Sequence, residues 1–295
     1  MGSIMEFAFY LGCVAPHRYP GIEAATRKVF SKLSLGLVDM KGASCCPPPG
    51  VIRSFDIDTW LLTAARNLAI AERLELDMVT MCNGCYATLK EANYILKTDE
   101  EKRKHINSLL SEIGYHFEGK TNVRHIIEVL YFDVGIGSLK SYIKKKISAR
   151  VAVFYGCHLV KPSNLRPWKD PERPRFLDEM VEALGAESVE YEHKMMCCGA
   201  GGAVRSGNPE VSLRIAQQRL HAMKEAKAEC IVDVCPFCHL QFDLGQREIA
   251  ERWGDTVNLP VLYYTQLLGM AMGLDPEELG VYMNVTDCSN LVKRF

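Results

Sequence analysis

The chain has 295 residues, 48% hydrophobic and 24% charged, a globular composition with material for a sizeable core. Its 35 basic and 36 acidic side chains leave a net charge of −1, which excludes nucleic acid as the main partner, because phosphate binding needs a clear cationic excess. No run approaches the roughly 18 apolar residues of a membrane span, no secretory leader opens the chain, and Glu6 stands where a myristoylation signal wants Ser or Thr; the expectation is a soluble, cytoplasmic protein.

From the N-terminus, the apolar run 7–12 (FAFYLG) predicts a buried strand ending at Gly12, just before Cys13. A helix is predicted from Gly21 to Leu33 and a second strand from Leu37 to Met40, ahead of the pair Cys45-Cys46. Asp58 is the predicted cap of a helix whose apolar stripe is Trp60, Leu61, Ala64, Ala65, Leu68 and Ala69. A strand from Asp77 to Met81 then runs into Cys82-x-x-Cys85. The charged run 97–104 (KTDEEKRK) predicts a solvated helix in an insertion near 97–120, and Lys140, Lys144, Lys145, Lys146 and Arg150 form a basic connector.

The same order then repeats. The run 151–156 (VAVFYG) precedes Cys157, a helix is predicted near Arg175 to Leu184 with Gly185 after it, and a short strand near Ser188 to Tyr191 precedes Cys197-Cys198. Asn208-Pro209 is a strong helix start, and a strand from Cys230 to Val234 ends in Cys235-x-x-Cys238. The fold class is therefore α/β, with a first domain over 1–149 and a second over 150–295. Each is expected to hold a small, mostly parallel sheet with flanking helices. Ligands of such sheets sit beyond the carboxyl ends of the strands, where all three cysteine groups of each half fall.

Ten of the 12 cysteines belong to these two sets. The intervals between groups are 31 and 35 residues in the first set, 39 and 36 in the second. Zinc needs four ligands where each half offers five, and thiol exchange at a lone C-x-x-C leaves three cysteines of each half unused. Iron–sulfur clusters use thiolates almost exclusively, and a fifth implies something other than an ordinary cube. Ligand counting leaves all three open. Cys230, in a strand, and Cys288, in the tail, are expected to pack in the core, as are Met195 and Met196.

This pattern, Cys-x31-Cys-Cys-x35-Cys-x-x-Cys followed by Cys-x39-Cys-Cys-x36-Cys-x-x-Cys, resembles the tandem cysteine-rich CCG domain. The whole chain resembles the family of heterodisulfide reductase B subunits of methanogenic archaea. The resemblance implies two non-cubane [4Fe-4S] clusters, one on Cys13, Cys45, Cys46, Cys82 and Cys85, the other on Cys157, Cys197, Cys198, Cys235 and Cys238. It implies reduction of the mixed disulfide of coenzyme M and coenzyme B to two thiols. It also implies electrons from a small ferredoxin-like iron–sulfur subunit, fed by a flavin-bearing bifurcating subunit and through it by a hydrogenase or formate dehydrogenase. CCG domains occur as well in lactate, glycolate and succinate or fumarate systems, where the chain would pass electrons and bind no disulfide; a zinc-stapled interaction module is the non-enzymatic reading. No G-x-G-x-x-G lies between a strand and a helix, so neither flavin nor nicotinamide is expected on this chain. One departure stands out: Gly199 follows the second Cys-Cys pair, but Pro47 follows the first, which removes an N–H donor beside the sulfurs.

His158 and His239 each follow a cluster cysteine and are candidates for supplying protons. The substrate's anionic groups call for cations, with Arg205 and Lys161 the first candidates and Arg18 and Lys41 the weaker ones.

Overall fold

The structure is a computed structural model that describes residues 5–294. Eight strands form two four-stranded parallel sheets of identical topology. In the first, β1 (Met5–Tyr10), β2 (Leu35–Asp39), β3 (Met78–Thr80) and β4 (Val123–His125) lie in the order β2-β1-β3-β4. In the second, β5 (Arg150–Phe154), β6 (Glu187–Ser188), β7 (Cys230–Asp233) and β8 (Val261–Tyr263) repeat it as β6-β5-β7-β8. Residues 7–10 of β1, all of β3 and β7, and residues 151–154 of β5 are buried and mostly apolar, as covered parallel strands require. Ala8 pairs with Met78 in the first sheet, and Val151 with Cys230 in the second.

The helices form where cap and stripe agree. Ile57–Arg73 buries Trp60, Leu61, Ala64, Ala65 and Leu68. Its cap is Asp56 rather than Asp58: the Asp56 carboxylate accepts from the Asp58 and Thr59 amides, placing Asp58 in the first turn. Pro209–Glu225 starts at Asn208, whose side chain accepts from the Val211 amide. β6 is only two residues long and ends at Ser188, where the sequence predicts a strand running from Ser188 to Tyr191. The charged run spans the end of Asn83–Thr98 and the start of Glu100–Ser111, a helix with no counterpart in the second half, where Pro236–Trp253 leads to β8 through a loop.

The halves exchange their last helices. The segment after β4 runs to Tyr131, which donates to Glu179 at 2.8 Å and packs edge-on against Trp168 and Phe176 of the second half. The helix after β8, Tyr264–Ala271, packs in return on Pro20–Lys32 of the first, where the Thr26 and Thr265 hydroxyls meet at 3.1 Å. The carboxyl edges of the two sheets face each other across this exchange. Among the described residues, no helix is long and apolar enough to cross a membrane.

Candidate iron–sulfur site between the halves

Between those edges lies a cavity of about 630 Å³. All ten cysteines of the two sets line it, with Pro48, Pro49, Val51, Ile52 and Ala200 supplying much of the remaining wall. A left-handed glycine brings the first cysteine of each set in: Gly12 at φ 71 and Gly156 at φ 70. A Cβ there would lie 2.9 Å from Cys85 Sγ at Gly12, and 3.4 Å from Cys238 Sγ at Gly156. Each C-x-x-C sits at the start of a long helix, aimed by a polar residue two positions ahead. Thr80 accepts from the Cys82 amide at 3.4 Å, and Asp233 from the Cys235 amide at 3.2 Å.

The thiols form one continuous chain. In the first half, Cys13 neighbours Cys45, Cys45 neighbours Cys46, Cys46 lies 2.9 Å from Cys85, and Cys85 neighbours Cys82. The second half repeats the order through Cys157, Cys197, Cys198, Cys238 and Cys235. The two runs meet where Cys82 and Cys235 stand 3.9 Å apart, sulfur to sulfur. Such crowding makes neighbouring sulfurs share protons. Hydrogen bonds involving Cys45 and Cys85 pull Cys46 below the ordinary thiol range, those of Cys157 and Cys198 pull Cys197 down, and those of Cys238 and Cys82 pull Cys235 down. Cys13 and Cys157 are pushed up, first by their bonds to Cys45 and Cys197 and then by burial. An array of soft sulfur ligands of this kind suits cations, which take the place of the thiol protons on binding. Among the described residues, no three Cys, His, Asp or Glu side chains close on one point tightly enough for a single ion. Five thiols spread around each end of a roomy cavity therefore fit a polynuclear iron–sulfur group better than zinc.

Beyond the cysteines, the candidate residues separate. His158 lines the cavity, and burial lowers its pKa. His239 does not line it: one position past Cys238 on a helix, it turns away from the sulfurs and binds Asp233 at 3.0 Å, with its ring edge-on to Tyr19 at 4.7 Å. Arg205 lines the rim, held by Gln241 at 2.7 Å and by both Glu248 oxygens. Lys161 lies outside the lining and pairs with Glu172 at 2.7 Å. Arg18 and Lys41 are likewise absent from the cavity wall. Cys230 and Cys288 are buried in the core and Met195 packs against it, but Met196 is 52% exposed, which corrects its expected burial. Lys144 and Lys145 bond through their amides to Ala271, at the end of its helix away from the cavity, so the basic connector does not flank the site.

Sequence reasoning missed Asp233, Asn83, His125 and Tyr263. Only Asp233 carries a sequence signal, a short polar residue between a strand and C-x-x-C that Thr80 matches in the first half. The asymmetry at the Cys-Cys pairs is visible: the Gly199 amide donates to Cys197 Sγ at 3.3 Å, and Pro47 has no N–H to give.

Two parallel sheets facing each other over a common bed of thiols define a tandem cysteine-rich protein. Residues 7–90 and 151–243 match the CCG cysteine-rich domain. The chain is 50% identical over 279 residues to the B subunit of the ferredoxin:CoB-CoM heterodisulfide reductase of Methanosarcina mazei, covering 95% of this chain and 93% of that one. It is 38% identical to an Archaeoglobus profundus protein described as like the heterodisulfide reductase B subunit, over 99% and 98% of the two chains. The 8-methylmenaquinol:fumarate reductase membrane anchor subunit of Wolinella succinogenes is 31% identical over 97% and 99%. A hypothetical protein from Helicobacter pylori shares the fold, with a TM-score of 0.77 at 13% identity, covering 97% of this chain and 53% of that one. The chain belongs to the tandem CCG cysteine-rich family, among the heterodisulfide reductase B subunits, and is an iron–sulfur oxidoreductase subunit.

Proposed function

We propose that this chain reduces the heterodisulfide CoM-S-S-CoB to the thiols of coenzyme M and coenzyme B. Its cofactors are two non-cubane [4Fe-4S] clusters, one held by Cys13, Cys45, Cys46, Cys82 and Cys85, the other by Cys157, Cys197, Cys198, Cys235 and Cys238. The observation that carries the reading is the convergence of all ten thiols on one cavity. The identity to named B subunits over nearly the whole chain supports it.

The balance is one disulfide, two electrons and two protons in, two thiols out. Iron–sulfur clusters supply electrons singly, so the substrate belongs between the two cysteine sets. The wall formed by Pro48, Pro49, Val51, Ile52 and Ala200 excludes water from the sulfur–sulfur bond. Arg205 is the cation at the rim for an anionic coenzyme group; its bidentate hold on Glu248 fixes the guanidinium while part of it remains open. In this reading His158, in the cavity wall, handles the protons, whereas His239 braces the turn before Cys235 through Asp233. The electron donors in this reading are a small ferredoxin-like iron–sulfur subunit, a flavin-bearing bifurcating subunit, and behind it a hydrogenase or formate dehydrogenase.

The kinship to a fumarate reductase subunit favours one second reading, in which the chain passes electrons without binding a disulfide. The test is iron and sulfide analysis with paramagnetic spectroscopy, followed by turnover of CoM-S-S-CoB by the chemically reduced chain. The proposal expects roughly eight irons, a signal that changes when coenzyme M is added, and release of both thiols. Full loading without thiol release favours the second reading, and zinc without acid-labile sulfide refutes both.

A further inference from the structure

The last residue of each fourth strand reaches across to the other half. Tyr263 closes β8 and is fully buried; its hydroxyl lies 2.6 Å from the Met81 carbonyl and 3.2 Å from the Val234 carbonyl. Met81 and Val234 immediately precede Cys82 and Cys235, the cysteines whose sulfurs meet at 3.9 Å. One hydroxyl therefore bridges the two strand ends that aim these cysteines. No ladder joins those ends, because β3 and β7 belong to different sheets.

The first half carries a counterpart. His125 closes β4, is fully buried, and lies beside the same two carbonyls and Cys235. Its Nδ1 accepts from the Ile127 amide at 3.2 Å, which leaves the hydrogen of the neutral ring on Nε2, an atom buried without a partner. Asn83, next to Cys82, adds a third tie. Its amide donates to the Tyr155 carbonyl at 2.8 Å, at the head of the turn that carries Cys157. At the same seam, Gly50 and Gly202 occupy equivalent places four residues past Cys46 and Cys198, and a Cβ on Gly50 would sit 3.1 Å from Gly202.

We propose that Tyr263, with His125 as its pseudosymmetric counterpart, is a positioning residue that holds Cys82 and Cys235 in sulfur-to-sulfur contact and so couples the two cysteine-bound centres into one electronic unit. This rests on the iron–sulfur reading. Cleaving one disulfide takes two electrons from centres that give them one at a time. A fixed contact between ligands of the two centres lets the second electron follow the first. Electronic coupling falls steeply with separation, so small movements of the strand ends weaken it. Residues behind a ligand set its direction in this way without touching the metal.

The experiment compares the full-length, cluster-loaded wild type with Tyr263→Phe, which removes only the hydroxyl. Thr265→Val is the control, removing another buried bond between the halves away from the cysteines. Iron and sulfide are measured first; a wild type without them sinks the iron–sulfur reading itself. With loading established, the fully reduced wild type should show a spin-coupled paramagnetic signal. Tyr263→Phe should change its splitting at least twofold, and Thr265→Val should leave it unaltered. Two uncoupled signals in the wild type, a Tyr263→Phe spectrum that superimposes on wild type, or an equal change in Thr265→Val overturns the proposal. If Tyr263→Phe folds but loses iron, loss from both halves supports the bridge and loss from one half alone refutes it. Should it not fold, Tyr263→His, which places there the residue found at the equivalent position of the first half, is read by the same criteria.

Discussion

A single methyl group can report how tightly the cluster loops are clamped. Gly156 and Gly135 have nearly the same backbone, φ 70 with ψ 151 and φ 78 with ψ 148. Alanine at either position suffers a penalty of about 1–3 kcal/mol, because only glycine adopts that region freely. At Gly135, which precedes the helix Ile136–Ser141, a Cβ meets nothing within 4 Å, so the cost stops there. At Gly156 the Cβ would lie 2.5 Å from Asn83 Nδ2, so the amide must leave the Tyr155 carbonyl. Asn83 is only 2% exposed and its Oδ1 already lacks a partner, so the displaced amide gains no water in exchange. An unsatisfied buried amide costs about 1–3 kcal/mol more. Gly156→Ala should therefore lose about 2–6 kcal/mol in total and Gly135→Ala about 1–3. Urea unfolding of both variants under reducing conditions, followed by circular dichroism, measures the gap. Equal losses at the two positions would refute the clamp, because the shared backbone term would then explain everything.

Other outcomes follow from the same geometry. Serine at Cys13 or Cys45 should remove about half of roughly eight irons and leave the second half loaded, and serine at Cys197 should do the reverse; an even loss across both halves would contradict separate sets. Arg205→Gln should raise KM for the heterodisulfide about ten- to a hundredfold with little change in kcat, the worth of one charge-assisted contact, whereas Lys161→Ala, remote and paired with Glu172, should change neither constant. Asp233→Asn leaves His239 without its buried carboxylate and should cost about 3–5 kcal/mol in chemical denaturation; a loss below about 1 kcal/mol would show that the pair contributes little. Redox titration should find the second centre above the first by about 40 mV, the equivalent of the roughly 1 kcal/mol of one extra N–H donor at Cys197, and indistinguishable potentials would count against that bond.

The cysteine pattern was legible because thiols are scarce, chemically distinctive and repeated at matching intervals, and the strands leading into them because apolar runs end in Gly or Cys. β4 and β8 were not: each is three residues long, like β3, but no cysteine group follows it to mark a strand end. Nor does anything in the segment after β4 tell that Tyr131 will pack on Trp168 of the other half, because a buried face does not name its partner. The two histidines show the same limit. Each follows a cysteine directly, yet Cys157–Val160 leaves His158 in the cavity wall while Pro236–Trp253 turns His239 away. Lys161 and Arg205 were equally plausible as cations until Glu172, 11 residues away, and Glu248, 43 away, came into view as their partners.

The repeat is strict where sulfur is placed and loose where sulfur is tuned. All five cysteine positions recur, and so do the positive-φ glycines ahead of Cys13 and Cys157. Around that frame the equivalent residues differ in kind: Thr80 against Asp233, Pro47 against Gly199, Asn83 against Pro236, His125 against Tyr263. Each pair adjoins a cysteine or the strand end that aims one, and each changes the hydrogen bonding or local charge there. Asp233 brings a carboxylate, its pKa raised to about 6 by burial, beside the Cys235 amide where Thr80 offers a hydroxyl. Gly199 gives an N–H to sulfur where Pro47 gives none. Two identical sites would divide a pair of electrons without direction. Sites of one ligand set and unequal electrostatics establish an order between them, and divergence at the residues behind the ligands obtains that order without disturbing ten converging sulfurs.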